Sequence, residues 1–335
     1  MNKVFIIAEI GQAHEGSLGI LHSYIDALAK TGVDAIKFQT HIAEAESSEY
    51  EPFRVNFSYE DKTRYDYWKR MEFSLEQWQG IKQHCDDVNI EFISSPFSNM
   101  AVDWLEKIGV SKYKIGSGEV SNFLMLEKIA KTGKEIILSS GMSSFSELDD
   151  SISFLNQFTN KVSLLQCTTK YPTKAEDIGL NVIKELKSRY KNLSIGFSDH
   201  SGKLYASLSA VSVGAEILEF HAIFDKDMFG PDSKSSLTIQ EIKKLVEGVR
   251  FIEKSLEYKI DKSDNSSYVE LKNIFEKSLA LNKDKKLGDT ITFDDLEAKK
   301  PYGYGVSAKH YRELIGKRLT KNLYKWDFIT GDDYE

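Results

Sequence analysis

Cysteine and proline are scarce in this chain of 335 residues, which contains two cysteines and five prolines. Cys85 and Cys167 cannot form the disulfide framework of a small secreted protein, and no Cys-x-x-Cys spacing indicates structural zinc. We therefore expect two buried free thiols, one in a helix and one in a strand. A composition of 41% hydrophobic and 28% charged residues is typical of a globular protein with little disorder.

Long apolar runs and basic clusters are also missing from the sequence. No segment approaches the roughly 20 consecutive apolar residues of a membrane helix, and the start, MNKVFIIAEIG, becomes acidic too early for a signal peptide. We therefore predict a cytoplasmic protein with no membrane partner. A net charge of -7 without a basic stripe argues against a nucleic-acid partner, because phosphate contacts require clustered Lys and Arg.

Short apolar segments that recur along the chain predict the fold. Eight of them are rich in β-branched residues and are typical of strands buried on both faces. They cover residues 4–10, 34–39, 90–95, 112–117, 135–140, 162–168, 193–199 and 215–221. A segment with helical periodicity lies between each one and the next. This alternation predicts an α/β protein with a (β/α)8 TIM barrel over residues 1–260.

The pattern changes after the barrel. Residues 261–275 are mostly polar and predict a linker, and residues 276–335 contain short β-like segments and tight turns, which predict a small β-rich domain. A domain of this size has little core of its own, so we expect it to dock on a barrel.

The connection at residues 41–75 is unusually long for a compact barrel. Loops of this length usually carry function, so we expect it to cap the barrel mouth or contact a partner subunit. We interpret its aromatic stretch YDYWKRMEF, residues 65–73, as packing.

Polar residues occur where the predicted strands end, which is the rim that carries the active site in barrel enzymes. The set comprises Glu9, Lys37, Gln39, Ser95, Lys114, Ser117, Glu119, Ser139, Thr168, Thr169, Tyr171, Asp199, His200, Glu219 and His221. Any one of them could be a satisfied structural group, but a set that spans so many strands indicates a functional site.

Two histidines, His200 and His221, end neighbouring predicted strands and are 21 residues apart, about one strand-helix-strand unit. Their imidazoles should converge at the barrel mouth. Two nitrogen ligands, completed by water or substrate oxygens, suit a divalent Lewis acid such as Mn²⁺ better than structural zinc, with Mg²⁺ or Co²⁺ as alternatives. His14 and His41 lie near the same rim and are further candidates for substrate binding.

Two lysines, Lys37 and Lys114, lie inside the apolar runs IKFQ and YKIG, where lysine is rare unless it meets an anion. We expect them to bind a phosphate or carboxylate. The alternatives are an ion pair with Glu9 or Glu119, and a Schiff-base lysine of an aldolase at Lys114. Neutral donors for the same anion are supplied by three serines, Ser95, Ser117 and Ser139.

The motifs IAEIGQAHEGS, IKFQTH, FISSPFS, YKIGSGE, IILSSGM, CTTKYPT, GFSDHS and ILEFH, in this order, resemble the sialic acid (N-acetylneuraminate) synthase family. The tail GDTITFDDLEAKKPYGYGVS resembles the antifreeze-like (SAF) domain of that family. The resemblance implies condensation of phosphoenolpyruvate with an N-acetylated hexosamine such as N-acetylmannosamine, giving a nine-carbon 2-keto acid and phosphate. It also implies a domain-swapped homodimer in which the tail of one chain covers the barrel mouth of the other.

The resemblance also assigns roles to residues. The metal ligands would be His200 and His221. The catalytic group would be Glu9, Glu119, Lys37 and Lys114. Phosphoenolpyruvate would be bound by Lys37, Ser95, Lys114, Ser117, Ser139, Thr169 and Tyr171. The sugar would be bound by Gln39, Tyr171, Asp232 and Lys300.

The chain departs from the family pattern at four positions. Thr169 replaces an asparagine, Gln166 and Ser233 replace histidines, and Lys300 replaces an arginine whose bidentate fork a lysine lacks. These changes leave the acceptor sugar open, so legionaminic or pseudaminic acid synthesis from a 2,4-diacetamido-6-deoxyhexose is an alternative. Two further alternatives are a Schiff-base aldolase that uses Lys114 and an inactive glycan-binding protein.

Overall fold

The computed structural model describes residues 3–55 and 57–335. The chain divides into two compact units, Met1–Tyr258 and Lys259–Glu335. Residues 261–275, which we predict to be a linker, belong to the second unit and include a short helix, Val269–Phe275.

A closed barrel of eight parallel strands forms the first unit. The strands β1 to β8 are Phe5–Glu9, Ala35–Thr40, Glu91–Pro96, Lys112–Ile115, Glu135–Ser139, Val162–Cys167, Ser194–Asp199 and Ile217–Ile223. Each strand pairs with the next in chain order, and β8 pairs with β1, with Glu9 beside His221. The structure confirms the (β/α)8 barrel predicted from the sequence.

Helices follow the strands around the outside of the barrel. The helices α1 to α10 are Leu18–Leu28, Ala43–Glu46, Arg64–Met71, Leu75–Asp87, Asn99–Ile108, Phe123–Ala130, Phe145–Leu155, Leu180–Arg189, Leu204–Ser212 and Ile239–Glu257, and a short strand, Leu237–Thr238 (β9), pairs with β8. Several helices begin at a Ser or Thr whose side chain accepts a hydrogen bond from a backbone N–H in the first turn; these caps include Ser74, Ser98, Ser144 and Thr238. Such caps fix where each helix starts after its loop.

The barrel interior has an apolar base and a polar upper layer. The base consists of Ile7, Ala35, Ile93, Ile137, Leu165 and Ile217. Because side chains alternate along a strand, Ile6 and Ala8 pack with the outer apolar core, whereas Ile7 and Glu9 face inward. The polar layer therefore lies above the apolar base, at the carboxyl ends of the strands.

The second unit contains helix α11, Val269–Phe275, and an antiparallel pair formed by β10, Ser278–Leu281, and β11, Leu296–Lys299. Its apolar core comprises Leu279, Leu281, Ile291, Leu314, Leu319, Leu323 and Ile329. The buried carboxylate of Asp295 pairs with Lys283 and Lys285, and that of Asp333 pairs with Lys321. The unit is small and β-rich, as predicted, and its identity as an antifreeze-like domain stays a prediction.

Both cysteines are buried free thiols, as predicted: Cys85 lies in α4 and Cys167 ends β6. Within residues 3–55 and 57–335, no helix combines the length and the apolar character needed to span a bilayer. The cytoplasmic location stays a prediction.

The barrel wall leaves no room for a side chain at Gly196 in β7. An added Cβ would lie 2.5 Å from both the Ile217 carbonyl oxygen and a methyl carbon of Leu165. We predict that Gly196→Ala lowers the free energy of unfolding by about 1–3 kcal/mol in urea denaturation. The control is Gly80→Ala in α4, where no atom lies within 4 Å of the added Cβ; it should raise stability by about 0.5–1 kcal/mol. Equal effects of the two substitutions would contradict this packing.

Candidate active site

A cavity of about 390 Å³ opens at the carboxyl ends of the barrel strands. Its size is within the usual range for a site that binds small molecules. The predicted site residues that line it are Glu9, Lys37, Gln39, Ser95, Lys114, Ser117, Glu119, Ser139, Thr169, Tyr171, His200, Glu219, His221 and Asp232. The structure thus brings together side chains from widely separated parts of the sequence.

Four buried charges form the floor of the cavity. The ammonium of Lys37 lies 2.9 Å from Glu9 Oε2 and 3.1 Å from Glu219 Oε1, and the ammonium of Lys114 lies 3.4 Å from the same Glu219 oxygen. Lys114 also donates to the Ser139 hydroxyl over 2.6 Å. Two ammonium groups and two carboxylates balance each other, and Glu219 joins the lysines.

The pKa values of the two lysines move in opposite directions. Burial by itself lowers the pKa of Lys37, but Glu219 and Glu9 outweigh burial, and the net pKa is raised. Burial also lowers the pKa of Lys114, and the positive charge of Lys37 adds to this effect, so its net pKa is lowered. The pair therefore contains one firmly charged ammonium and one that loses its proton more readily.

The two candidate acid/base carboxylates also differ. Burial raises the pKa of Glu9, but Lys37 and other neighbours outweigh it and hold the pKa well below its ordinary value. Burial raises the pKa of Glu119 above its ordinary value, although Asn122 donates to Glu119 Oε2 over 2.7 Å and opposes the shift. Glu9 is thus a fixed negative charge, whereas Glu119 exchanges a proton closer to neutral pH.

The two predicted metal ligands converge, with ring centres 5.3 Å apart. Nδ1–H of His200 donates to the Thr168 carbonyl oxygen over 2.9 Å, which directs Nε2 toward the cavity and the Tyr171 hydroxyl, 3.2 Å away. His221 Nε2 lies 3.4 Å from Glu9 Oε2. A backbone carbonyl that fixes one ring nitrogen is a common support for a metal-binding histidine, so the two imidazoles fit a divalent cation.

A proton competes for the His200 ring. Burial by itself lowers the pKa of His200, but Cys167 and the Thr168 carbonyl favour the charged ring and raise the pKa to about 9. A cation bound at Nε2 would have to displace that proton. Within the described residues, no group of three or more His, Cys, Asp and Glu side chains has the arrangement of a metal site.

Unpaired polar atoms and a glycine mark the wall beside the lysines. Thr169 Oγ1 and Glu219 Oε2 are buried and have no hydrogen-bond partner among the described residues. Gly141 has φ +28°, and an added Cβ would lie 1.9 Å from Ser117 Oγ and 2.7 Å from Thr169 Oγ1. Glycine lets the backbone approach these hydroxyls closely, which is typical of an anion-binding wall.

One wall of the cavity comes from a segment that we expected to cap the barrel mouth, although of its residues only His41 was predicted as a candidate for substrate binding. It comes from the long connection after β2 and comprises His41, Glu46, Glu51, Arg54, Arg64, Tyr67 and Trp68. Tyr67 and Trp68 are buried, which confirms the packing role of the aromatic stretch, and they also face the cavity. Two sequence properties pointed to this wall: the unusual length of the connection and the position of His41 directly after the second predicted strand.

Some rim residues are structural. The Thr168 hydroxyl donates to the Asp177 carbonyl oxygen over 2.8 Å, and Asp199 accepts from the Ser207 hydroxyl over 2.7 Å. His14 packs against Phe73 with ring centres 5.0 Å apart. None of Thr168, Asp199 and His14 is among the described residues that line the cavity.

Lys300 belongs to the second unit, where its ammonium lies 4.8 Å from the centre of the Phe275 ring. The family resemblance implies that this residue contacts the sugar in the barrel of a second copy of the chain. That contact and the domain-swapped homodimer stay predictions.

The barrel with its polar layer at the strand ends places the chain among (β/α)8 proteins with a mouth-facing site. The chain belongs to the NeuB family, whose model matches residues 24–261. This finding confirms the resemblance found in the sequence.

Individual relatives are similar over nearly the whole chain. N,N'-diacetyllegionaminic acid synthase of Campylobacter jejuni is 37% identical over 333 residues, which cover 98% of each chain. Pseudaminic acid synthase of Campylobacter jejuni is 33% identical over 338 residues, covering 99% of this chain and 97% of that protein.

A solved structure supports the fold. The N-acetylneuraminic acid (sialic acid) synthetase of Leptospira borgpetersenii, crystallised with citrate, has 34% sequence identity and a TM-score of 0.71. The match covers 81% of this chain and 90% of that one.

Because Glu219 contacts both Lys37 and Lys114, the charge balance of the cavity floor depends on it. We predict that Glu219→Gln lowers the free energy of unfolding by about 3–5 kcal/mol, because two buried ammonium groups lose a common partner. The control is Glu216→Gln, whose partly exposed pair with Lys187 should contribute no more than about 1 kcal/mol. Urea denaturation followed by tryptophan fluorescence measures both.

The loss of stability in Glu219→Gln depends on pH in a direction that follows from the pKa of Glu219. Burial raises the pKa of Glu219, but Lys114 and Lys37 outweigh it, so the folded-state pKa lies below the ordinary value of 4.5. Its stabilisation is present above pH 4.5 and is lost as the pH falls toward the folded-state value. The difference between wild type and Glu219→Gln should therefore shrink in acid. A difference that grows in acid would contradict the charge assignment.

Proposed function

We propose that the protein is a nonulosonic acid synthase, which condenses phosphoenolpyruvate with an N-acetylated hexosamine of the N-acetylmannosamine type. The observation that carries the proposal is the convergence of two imidazoles, two buried ammonium groups and a set of hydroxyls on one cavity. The family relationship supports the same reaction class. The products would be a nine-carbon 2-keto acid and phosphate.

The phosphorylated enol would be bound by the lysine side of the cavity. Lys37 and Lys114 supply positive charge, Ser95, Ser117 and Ser139 supply hydroxyl donors, and the unpaired Thr169 Oγ1 supplies another. Charge-assisted hydrogen bonds of this kind are about twice as strong as neutral ones. Because Lys114 also contacts Glu219, an arriving phosphate would share its ammonium with that carboxylate.

The residues that would hold a divalent cation, Mn²⁺ by our prediction, are His200 and His221. Such a cation, when bound, supplies Lewis-acid polarisation of a carbonyl oxygen. Glu9 is positioned by Lys37, and by Gln39, which donates to Glu9 Oε1 over 2.7 Å. The fixed negative charge of Glu9 beside His221 favours a cation at this end of the cavity.

The reaction we propose conserves every atom. C3 of the enol forms a bond to the aldehyde carbon of the open-chain sugar, and the aldehyde oxygen takes up a proton. Water adds to C2 and loses one proton, which leaves a hydroxyl on C2. The C2–O bond to phosphate then breaks, and the hydroxyl proton passes to the departing phosphate, so that C2 becomes the ketone.

Glu119 is the better candidate for moving these protons. Its pKa is raised by burial, and it lines the cavity, whereas Glu9 is held ionised by Lys37. An acid or base whose pKa lies nearer the working pH transfers protons more effectively.

The proposed reaction predicts phosphate release only when phosphoenolpyruvate and an acceptor sugar are both present. The assay compares N-acetylmannosamine with a 2,4-diacetamido-6-deoxyhexose, with Mn²⁺, and identifies the product by mass. The second sugar is included because the Campylobacter legionaminic acid synthase matches 98% of this chain. A chelator should abolish release, and added Mn²⁺ should restore it in wild type but not in His200→Ala.

The rival functions give different results in the same assay. A Schiff-base aldolase would resist the chelator and would be trapped by borohydride and pyruvate at Lys114. A glycan-binding protein would release no phosphate with any sugar. Either result would end the proposal.

Asn122 offers a test of the acid/base role of Glu119. Asn122 caps α6 by accepting from the Met125 N–H and donates to Glu119. Asn122→Ser keeps a cap but removes the donor that lowers the pKa of Glu119. If Glu119 acts as a base, its higher pKa in this variant should move the acidic limb of the pH profile of kcat to higher pH.

A second variant removes the carboxylate of Glu119. Glu119→Gln should lower kcat by about 100-fold or more and abolish the acidic limb. If the acidic limb of the pH profile of kcat stays at the same pH in Asn122→Ser and in Glu119→Gln, the limb reports the titration of another group.

A further inference from the structure

His41 directly follows β2, and its ring is held between two aromatic side chains. The ring stacks on Trp68 with ring centres 4.0 Å apart and planes inclined by 20°. It also stacks on Phe97 with ring centres 4.6 Å apart and planes inclined by 10°. Only 2% of His41 is exposed. Because both neighbours stack on the ring, its hydrogen bonds leave through the edge, and its two nitrogens have fixed directions.

Both ring nitrogens of His41 have partners in the protein. Nδ1–H donates to Glu46 Oε1 over 2.6 Å, and a carboxylate in this position fixes the proton on Nδ1. Nε2 is then an acceptor, and it lies 3.1 Å from the side-chain nitrogen of Gln12, which donates to it. The ring therefore suits a positioning role better than direct contact with a substrate.

The hydrogen bonds continue from Gln12 to Glu9. The Gln12 amide also donates to Gln39 Oε1. Gln39 Nε2 donates to Glu9 Oε1 over 2.7 Å. A flipped amide at Gln12 or Gln39 would turn an acceptor toward an acceptor, so each bond in this chain has one favourable direction. Glu46 sets the direction at one end of the chain, and Glu9 sets it at the other.

The chain ends at a carboxylate in the centre of the candidate site. Glu9 Oε2 lies 2.9 Å from the Lys37 ammonium and 3.4 Å from His221 Nε2. Gln39 holds the second oxygen of the same carboxylate. The orientation of the Glu9 carboxylate therefore depends on the Gln39 amide as well as on the charges beside it.

The other end of the chain lies in the long connection after β2. Glu46 is the last residue of α2, and Trp68, which stacks on His41, belongs to α3. The two short helices of the connection thus fix the His41 ring, one through a hydrogen bond and the other through a stack. This arrangement links the packing of the connection to the centre of the cavity.

We propose that His41 is a positioning residue that orients the Gln39 amide toward Glu9. Glu46 fixes the ring, and Gln12 connects the ring to Gln39. This inference rests on the proposed function and deepens it. His41 contacts no reacting atom in this role, so its loss lowers kcat more than it changes KM for phosphoenolpyruvate.

The test replaces His41 by phenylalanine, which keeps the stack but has no ring nitrogen. His41→Phe should lower kcat by about 10-fold or more, because a partner that orients a residue of the site is commonly worth this much activity. KM for phosphoenolpyruvate should change by less than about twofold. His41→Gln should recover part of kcat, since its amide offers both a donor and an acceptor. An unchanged kcat in His41→Phe would overturn the proposal.

A double-mutant cycle tests whether His41 acts through Gln39. Gln39→Ala should lower kcat by itself. Addition of His41→Phe should then have little further effect, because the amide that His41 orients is gone. If the effects of the two substitutions on kcat multiply, His41 acts independently of Gln39, and the proposal fails.

The matched control is His14→Asn. His14 is also 2% exposed and lies near the rim, where its Nδ1 accepts from the Gly16 N–H over 3.0 Å, but it is absent from the residues that line the cavity. Urea denaturation checks that both variants are folded. Only His41→Phe should lower kcat. An equal loss of kcat in the two variants would indicate a general disturbance of the barrel mouth and would overturn the proposal.

A measurement without turnover separates this inference from the proposed reaction. In protein labelled with ¹⁵N-glutamine, the side-chain amide signal of Gln39 is identified by its loss in Gln39→Ala. The signal should shift in His41→Phe and in Glu46→Gln but not in His14→Asn. If wild type releases no phosphate, the proposed function fails, whereas the Gln39 signal still decides the role of His41. A signal that does not shift in His41→Phe would overturn that role.

Discussion

The site depends on a cluster of four charges, Lys37, Lys114, Glu9 and Glu219, held in the barrel mouth where water scarcely reaches. Burying an unpaired charge costs far more than burying a balanced set. The barrel tolerates the lysines because two carboxylates accompany them. The apolar base beneath the cluster gives an ammonium group no path to solvent in that direction. Within the cluster, Lys37 and other neighbours hold the pKa of Glu9 well below its ordinary value, whereas burial raises the pKa of Glu119, which lies outside the cluster.

The architecture was predictable because each barrel strand is a short apolar run and each helix has its own periodicity. Strand-end residues such as Lys37, Lys114 and the two histidines were found for a physical reason: a polar side chain at the end of a buried strand needs a partner. Their convergence follows from parallel pairing alone. The resemblance to a family then supplied roles that spacing could not.

Other parts of the site lay beyond such reasoning. Glu219 is a predicted rim residue, but nothing in the sequence shows that it joins both lysines. Arg54 lies in an irregular part of the long connection, and Trp68 lies in its short helix α3. The approach of Arg54 to the Tyr171 ring and of Trp68 to the cavity is decided by tertiary packing. Thr168 and Asp199 looked like candidates because a residue that satisfies its own loop has the same sequence pattern as one that faces a ligand.

Asn122 holds the start of α6 and touches Glu119 through opposite ends of one amide group. Its oxygen caps the helix, and its nitrogen donates to the carboxylate that we propose as the acid/base group. A change here that tunes the proton affinity of the carboxylate therefore also alters how a helix begins, unless the new side chain is itself a good cap, as serine is. Adaptation of this protein to a more acidic or alkaline setting is constrained at this position, since few side chains can vary one property and keep the other.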